Sequence, residues 1–466
     1  MPFTVTIVSV STLFPFIVGK YVWFRTVIDL ALFFFLLGLL LNRDAKDYKT
    51  RLVKWFKSPL GAAITAFTLF FLLASFFAFD AHMAFWSNFE RGEGGLQMIH
   101  LYLFALLLSV LLKSEKDWQK MLWLSLIAAL LMIFYGTGAG LKYVDAEITE
   151  QGGNGSAQPV WSGKGGILFQ LFKNFIGPAF NESGYRFQGS IGNPAYVATY
   201  LIFMFFFTLY LFFASNRSRI FSAKKIFLTV LFLIFLIFFA LAATRGAFVG
   251  WLASLFIGAI YLVFVLKRWR KPLLILIILS VLLIGSTTLL VKKTNLNKSV
   301  PALRIFDISF SARTLIDRTY IWQAAVAGFK ERPILGWGPE NFSQVFDRKF
   351  PIKYFTPERG FGAWFDRAHN IFLDRLVETG ILGLLSYVAI FIVFYVQFFK
   401  SNLKEKISEQ GGGKSYILRF MLFSVPIAYL VQGLVLFEVL VIYINLFLFL
   451  AFANFKFQEK EIFRKV

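Results

Sequence analysis

Apolar runs long enough to cross a hydrocarbon core follow one another along almost the whole chain. About twelve can be delimited, at residues 4–19, 24–42, 60–80, 96–113, 118–137, 193–214, 225–243, 246–266, 272–292, 369–399, 416–434 and 437–455. Lys20 and Arg25 divide the first two, a run that also reads as one broken helix. The first run has no small-residue cleavage site and reads as a retained span rather than a signal peptide. Two long polar intervals, 138–192 and 293–368, interrupt the succession. The pattern predicts an all-α polytopic membrane protein with four regions: N-terminal spans with a first outer loop (1–192), central spans (193–292), a large outer loop (293–368), and C-terminal spans with a tail (369–466).

Basic residues fix the expected orientation. The connections carrying Arg43 to Lys57, Lys113 to Lys120, Arg217 to Lys225, Lys267 to Lys271 and Lys400 to Lys414, with the tail from Lys456 to Lys465, all fall at one end of a twelve-span bundle. Short opposite loops hold little beyond Lys20, Arg25, Arg91 and Arg245. Cationic short loops stay in the cytoplasm, so both termini are expected there and the two long loops outside.

Composition narrows the classes. The 466 residues are 58% hydrophobic, include 61 phenylalanines and have a mean hydropathy of +0.67, unlike an ordinary soluble domain. The formal charge of +22 is read as basic loops facing anionic lipid rather than as a nucleic-acid surface. The absence of cysteine excludes thiolate metal sites, disulfides and a cysteine nucleophile.

Candidate chemistry gathers in the outer loops. The first is rich in Gly, Ser and Asn over 151–166 and is expected to be partly irregular. In the second, Arg313 to Lys330 reads as an amphipathic helix outside the membrane, with Ile321, Trp322, Ala325 and Phe329 on one face and Pro333 as its stop. Arg318 and Trp322 share a face, either for a sugar phosphate or as a cation–π pair at the membrane surface. Arg245, in a near-loopless turn between two spans, faces a cavity or partner or else snorkels. His369 opens a span directly after the basic loop. It reads as a cap or interface residue, or as a base whose near-neutral pKa suits it to accept a proton from a hydroxyl. Asp374, Arg375 and Glu378 either protrude from the lipid or line a cavity.

These residues fall in an order that resembles the O-antigen ligase and polymerase superfamily of envelope glycan enzymes. The matching pieces are Thr244-Arg245-Gly246, Arg318 to Trp322, Pro333 to Phe342, Ala368-His369-Asn370 to Leu373, and Glu378-Thr379-Gly380 to Gly383. Arg186 with Gly192-Asn193-Pro194, and Glu90-Arg91-Gly-Glu-Gly, are similar to two upstream segments of the family. The specific resemblance covers about 185–385. It implies a GT-C-like fold and an inverting, metal-independent glycosyltransferase with no cofactor, working on the outer face of the cytoplasmic (inner) membrane. The donor would be an undecaprenyl-diphosphate-linked glycan, and the acceptor a lipid A core sugar, a growing glycan or a protein hydroxyl. Arg245 and Arg318 would hold the pyrophosphate and His369 would be the general base. Arg186, Arg91, Arg313, Trp322 and Asn370 would contact substrate. A protein O-oligosaccharyltransferase carries the same motifs. A transporter or flippase of lipid-linked glycans is the alternative of another class, although no repeat relates the two halves.

Overall fold

The computed structural model describes residues 1–41, 45–88, 90–137, 141–143, 159–161, 186–215, 222–294, 296, 301–306, 313–357, 364–401 and 412–462. The Gly/Ser/Asn-rich stretch 151–166 lies outside them apart from 159–161, as do Arg43, Arg217, Arg219, Lys404, Lys406, Arg464 and Lys465.

Helices dominate because a chain in lipid must satisfy its backbone within each segment. Ten described helices are long and apolar enough to cross a membrane. In chain order they and their companions are α1 (Val18–Leu41), the basic α2 (Ala45–Lys57), α3 (Pro59–Phe76), the short α4 (Ala81–Trp86), α5 (Gly95–Leu111) and α6 (Glu115–Gly136). There follow α7 (Pro194–Ala214), α8 (Ala223–Leu241), α9 (Arg245–Val265), α10 (Arg270–Thr294), α11 (Arg313–Glu331) and α12 (Phe342–Arg348). The last three are α13 (Ile371–Lys400), α14 (Gly412–Gly433) and α15 (Leu440–Ile462). α5 is apolar but has only 17 residues, the lower limit for a crossing. Among the described residues the only strands are Leu141–Tyr143 and Pro159–Trp161, paired antiparallel.

Helix starts follow local chemistry. Ser58 caps α3 ahead of Pro59, Asn193 caps α7 ahead of Pro194, and Ser114 with Asp117 forms a capping box on α6. α7 and α15 form the middle of the bundle, with 78% and 94% of their apolar windows buried. α10 is peripheral, 6% buried, and its leucines and isoleucines face outward as lipid-exposed residues do.

The N-terminus departs from expectation. Residues 4–19 form no helical span: a 3-10 turn over Pro2–Thr6 is followed by turns, and the first long helix begins at Val18. Pro15 cannot continue a helix, and the backbone closes a turn with Ser9 N–H donating to the Pro15 carbonyl at 2.9 Å. Lys20, expected to divide a pair of spans, lies buried in the first turns of α1. Its ammonium donates to the carbonyls of Ile7, Phe16 and Ser190, each at 2.7 Å. Ser190 Oγ also donates to Val5 O at 2.6 Å. Its backbone is satisfied in part by its own turns and by Lys20, which the non-helical path requires. The segment therefore lies near the start of α7, at the end of the bundle that bears residues 313–370. This corrects the expectation of both termini at the basic end.

Candidate active site

Residues 313–357 and 364–370 form a small cap. α11 and α12 bury Ile321, Ala324, Ala325, Phe342, Val345 and Phe346 with Trp337, Ala368 and Val377 in a core separate from that of the bundle. The cap is keyed into a break in α13. Gly380 sits at φ 65° inside that helix, so backbone groups on either side lose their helical partners. The segment Pro333 to Gly338 supplies replacements. Trp337 N–H donates to Val377 O at 2.9 Å and Gly338 N–H to Glu378 O at 2.8 Å, while Ile381 N–H donates to Pro333 O at 2.8 Å. A Cβ on Gly336 would come within 2.6 Å of the Glu378 backbone, and one on Gly380 would collide with the Ile334 carbonyl. Two of the sequence motifs, 333–342 and 378–383, are thus halves of one joint. Asn341 ties the cap to the first half of the chain: its Nδ2 donates to Asp80 O at 3.2 Å and its Oδ1 accepts from Asp80 N–H at 3.0 Å.

Beneath the joint lies a buried ionic network. Arg367 pairs with Glu340 through one nitrogen and with Glu378 through the other, and Glu93 lies 3.6 Å away. Arg375 lies 3.5 Å from Glu378 and 3.4 Å from Glu438, and donates to Tyr443 Oη at 2.8 Å. Asp374 Oδ1 accepts the Ala368 N–H at 2.7 Å. Asp374, Arg375 and Glu378 are buried, which resolves the two readings left open by the sequence. Burial pushes the Glu93 carboxyl up to about 8.

His369 follows this network directly, and its neighbours are all pinned. Arg367 is held by its carboxylates, the Trp322 indole N–H donates to Ala368 O at 3.0 Å, and Asn370 caps α13 by accepting from Phe372 and Leu373 amides at 3.0 and 3.2 Å. Asn370 Nδ2 also donates to Leu434 O at 3.1 Å. The histidine takes φ 55°, rare for a side-chain-bearing residue, with its ring edge-on between Phe365 and Phe437 at 5.4 and 4.8 Å. His369 Nδ1 lies 3.1 Å from Arg367 O, and a carbonyl only accepts, so Nδ1 carries the proton and Nε2 keeps its lone pair. Burial holds the pKa below its usual 6.5. The Arg367 carbonyl opposes that shift, and the positive charge of Arg318 reinforces it.

The arginines singled out from sequence fall in separate places. Arg91 makes a two-pronged contact with Asp366, at 2.7 and 3.1 Å, and stacks over Phe437 at 5.0 Å. Burial alone would raise the Asp366 carboxyl, but Arg91 holds it below the ordinary range. Arg186 and Arg245 meet at the three-residue turn between α8 and α9, where Ala243 takes φ 46°. Arg186 donates to Ala242 O at 3.1 Å and to Thr244 Oγ1 at 2.7 Å. Thr244 is the N-cap residue of α9, yet its side chain makes no capping bond. Burial, with the neighbouring charges of Arg304 and Arg245, pushes the Arg186 guanidinium down to about 10. Arg318 lies half-buried on α11, near enough for its charge to act on His369, and no carboxylate pairs with it among the described residues. Arg313 begins α11. Sequence reading missed Arg304, Arg367 and Phe437.

Among the described residues no group of three or more His, Asp or Glu side chains is placed to hold a metal ion. Residues 229–388, which include Arg245, Arg318 and His369, match the family model described as O-antigen ligase. The exopolysaccharide production protein ExoQ of Rhizobium meliloti is 32% identical over 110 residues, 22% of this chain and 23% of that protein. An uncharacterized protein of Haemophilus influenzae is 25% identical over 251 residues, 51% of this chain and 58% of that one. The chain thus spans less than two thirds of the length of either relative. The order of helices and motifs agrees with the matched segment: residues 229–388 are similar to the O-antigen ligase family.

Proposed function

We propose that this protein is a membrane glycosyltransferase that moves a glycan from an undecaprenyl-diphosphate carrier to an acceptor hydroxyl, with inversion and without a metal ion. The observation that carries the reading is a neutral His369, its Nε2 lone pair available, within electrostatic reach of Arg318, which no carboxylate pairs among the described residues. The pyrophosphate would lie at the start of α9. There the helix dipole and the uncapped first-turn amides add to Arg186, Arg245 and Arg304. Arginine clamps a phosphate two-pronged and stays charged, so the leaving group is neutralised by the chain's own groups.

The step balances simply. The acceptor oxygen forms a bond to the anomeric carbon as the carbon–oxygen bond to the pyrophosphate breaks. His369 Nε2 takes the acceptor proton, and undecaprenyl diphosphate leaves with its bonding pair. Glu340 and Glu378 are occupied by Arg367, and Asp366 by Arg91, which leaves the histidine as the base. Basic α2 and the Lys113 to Lys120 connection lie at the opposite end of the bundle from His369. In the inner membrane that arrangement favours a reaction on the periplasmic or extracellular face. A flippase would use a broken helix to line its path. The break in α13 is instead filled by Pro333 to Gly338, which favours the enzyme.

The test is transfer from purified undecaprenyl-diphosphate glycan in nanodiscs. Wild type should release undecaprenyl diphosphate in excess EDTA, and His369→Ala should not, at equal thermal stability. Release that depends on an added divalent ion, or survives in His369→Ala, would remove this mechanism. Acceptance of a protein Ser or Thr in place of a glycan would reassign the protein as an O-oligosaccharyltransferase.

A further inference from the structure

The end of the bundle that bears α2 holds a cavity of about 340 Å³, in the size range of small-molecule sites. It lies between α2, the end of α5, the start of α6 and the last turns of α15. Leu440 meets Arg91 at a cavity near the other end of α15, and Asn454 is 14 residues farther on, about 21 Å along the helix. The space is therefore separate from the surroundings of His369.

Two polar atoms that line it have no partner. Asn454 is 1% exposed, and its Oδ1 accepts no hydrogen bond among the described residues. Ser109 Oγ, also enclosed, is equally unengaged. An enclosed polar atom left unpaired is costly, so two of them at one cavity mark where a ligand's polar groups belong.

The charges at the cavity form two sets. Arg51 and Lys113 share the single carboxylate of Asp47, at 3.2 and 2.8 Å, and Lys54 has no acid partner among the described residues. This set carries two positive charges in excess. Glu115 and Glu459 share the single ammonium of Lys456, at 3.2 and 3.0 Å, which leaves one negative charge in excess. An anion answers the first set and opposes the second, and a cation does the reverse. A ligand with both a phosphate and an ammonium answers the two together. Its phosphate can accept from the cations and from the Ser109 hydroxyl, and its ammonium can donate to Glu459 and to Asn454 Oδ1. Depth narrows the form of that ligand. α2 exposes Val53 and Phe56 among Lys46, Lys49 and Lys57, as a helix lying in the headgroup layer does.

We propose that this cavity binds a phosphoethanolamine group, the headgroup of a zwitterionic phospholipid in the leaflet at the basic end of the bundle. The site is independent of the glycosyltransferase reading and shares no residue with it.

The test is native mass spectrometry of the full-length protein, stripped of lipid in detergent and titrated with phosphatidylethanolamine or phosphatidylglycerol of matched chains. Wild type should retain one phosphatidylethanolamine, with half-saturation about fivefold below that for phosphatidylglycerol. Asn454→Leu should abolish the preference. Lys54→Glu, at an exposed position, should weaken phosphatidylethanolamine binding by a similar factor and serves should the leucine variant not fold. Equal retention of the two lipids by wild type would mean that the basic end only collects anions. No retention, or undiminished retention in the folded variants, would mean that the cavity holds no headgroup. Any of these results overturns the proposal. Free O-phosphoethanolamine at equal concentration should leave the lipid in place; displacement would make a soluble ester the ligand and overturn the lipid assignment.

Discussion

Arginines around His369 and the α9 turn fall into two kinds. Arg367 and Arg375 are buried among Glu340, Glu378 and Glu438, and each guanidinium there pairs with carboxylates. Arg186 at the α9 turn and Arg318 on the cap sit near other cations or a histidine, and no acid pairs with them among the described residues. The first kind neutralises what the protein brings. The second accumulates positive charge that only an incoming anion can offset. Residue type is the same in the two places, while the first kind is fully buried with acid partners and the second half-buried without them among the described residues.

The sharpest way to break this comparison is Arg367→Ala. It strands Glu340 as a buried charge and leaves Glu378 with Arg375 alone, and loss of one member of such a group costs about 3–5 kcal/mol. Little folded protein should survive detergent extraction, as read by size-exclusion profile and thermal unfolding; normal yield and melting would erase the distinction. Next come Arg245→Ala and Arg318→Ala. Each should lower kcat/KM for glycan transfer by about 10²–10³, as expected for one electrostatic stabiliser of a leaving group. Their melting should stay within about 0.5 kcal/mol of wild type. A parallel fall in stability would assign them to the first kind. Arg186→Gln should be milder, about tenfold in donor KM, because the turn retains the Thr244 to Ala242 contact at 3.0 Å. The smallest effect is on the pH profile. His369 must be neutral to act as base and its pKa is depressed, so kcat/KM should be flat at neutral pH and fall only on acidification, with an apparent pKa below 6.5. A limb above neutrality would point to a different base.

Much of this is legible in the sequence. Apolar runs predict every long membrane helix within several residues, and the motifs name Arg245, Arg318 and His369, which converge at one end of the bundle. Residues 4–19 mislead because hydropathy alone does not register Pro15 and the polar run Ser9 to Thr12, nor that Lys20 finds a carbonyl 170 positions away. Glu340, Arg367 and Glu378 each look like loop or interface charges until the break at Gly380 brings them together. Phe437 carries no signal at all: one phenylalanine in a chain rich in them becomes the ring against His369 only through the α14–α15 linker.

The joint between Pro333–Gly338 and the break in α13 also sets an order of assembly. The cap leaves the ribosome before the helix whose backbone completes it, and its Asn341 must reach back to a loop at Asp80 made 261 residues earlier. Until α13 is inserted, the cap's amides and carbonyls along Pro333 to Gly338 have only water for company. The linker bearing Phe437 arrives later still. The surroundings of His369 therefore close among the last events of membrane insertion, and a chain stalled before α13 would leave the cap unfinished.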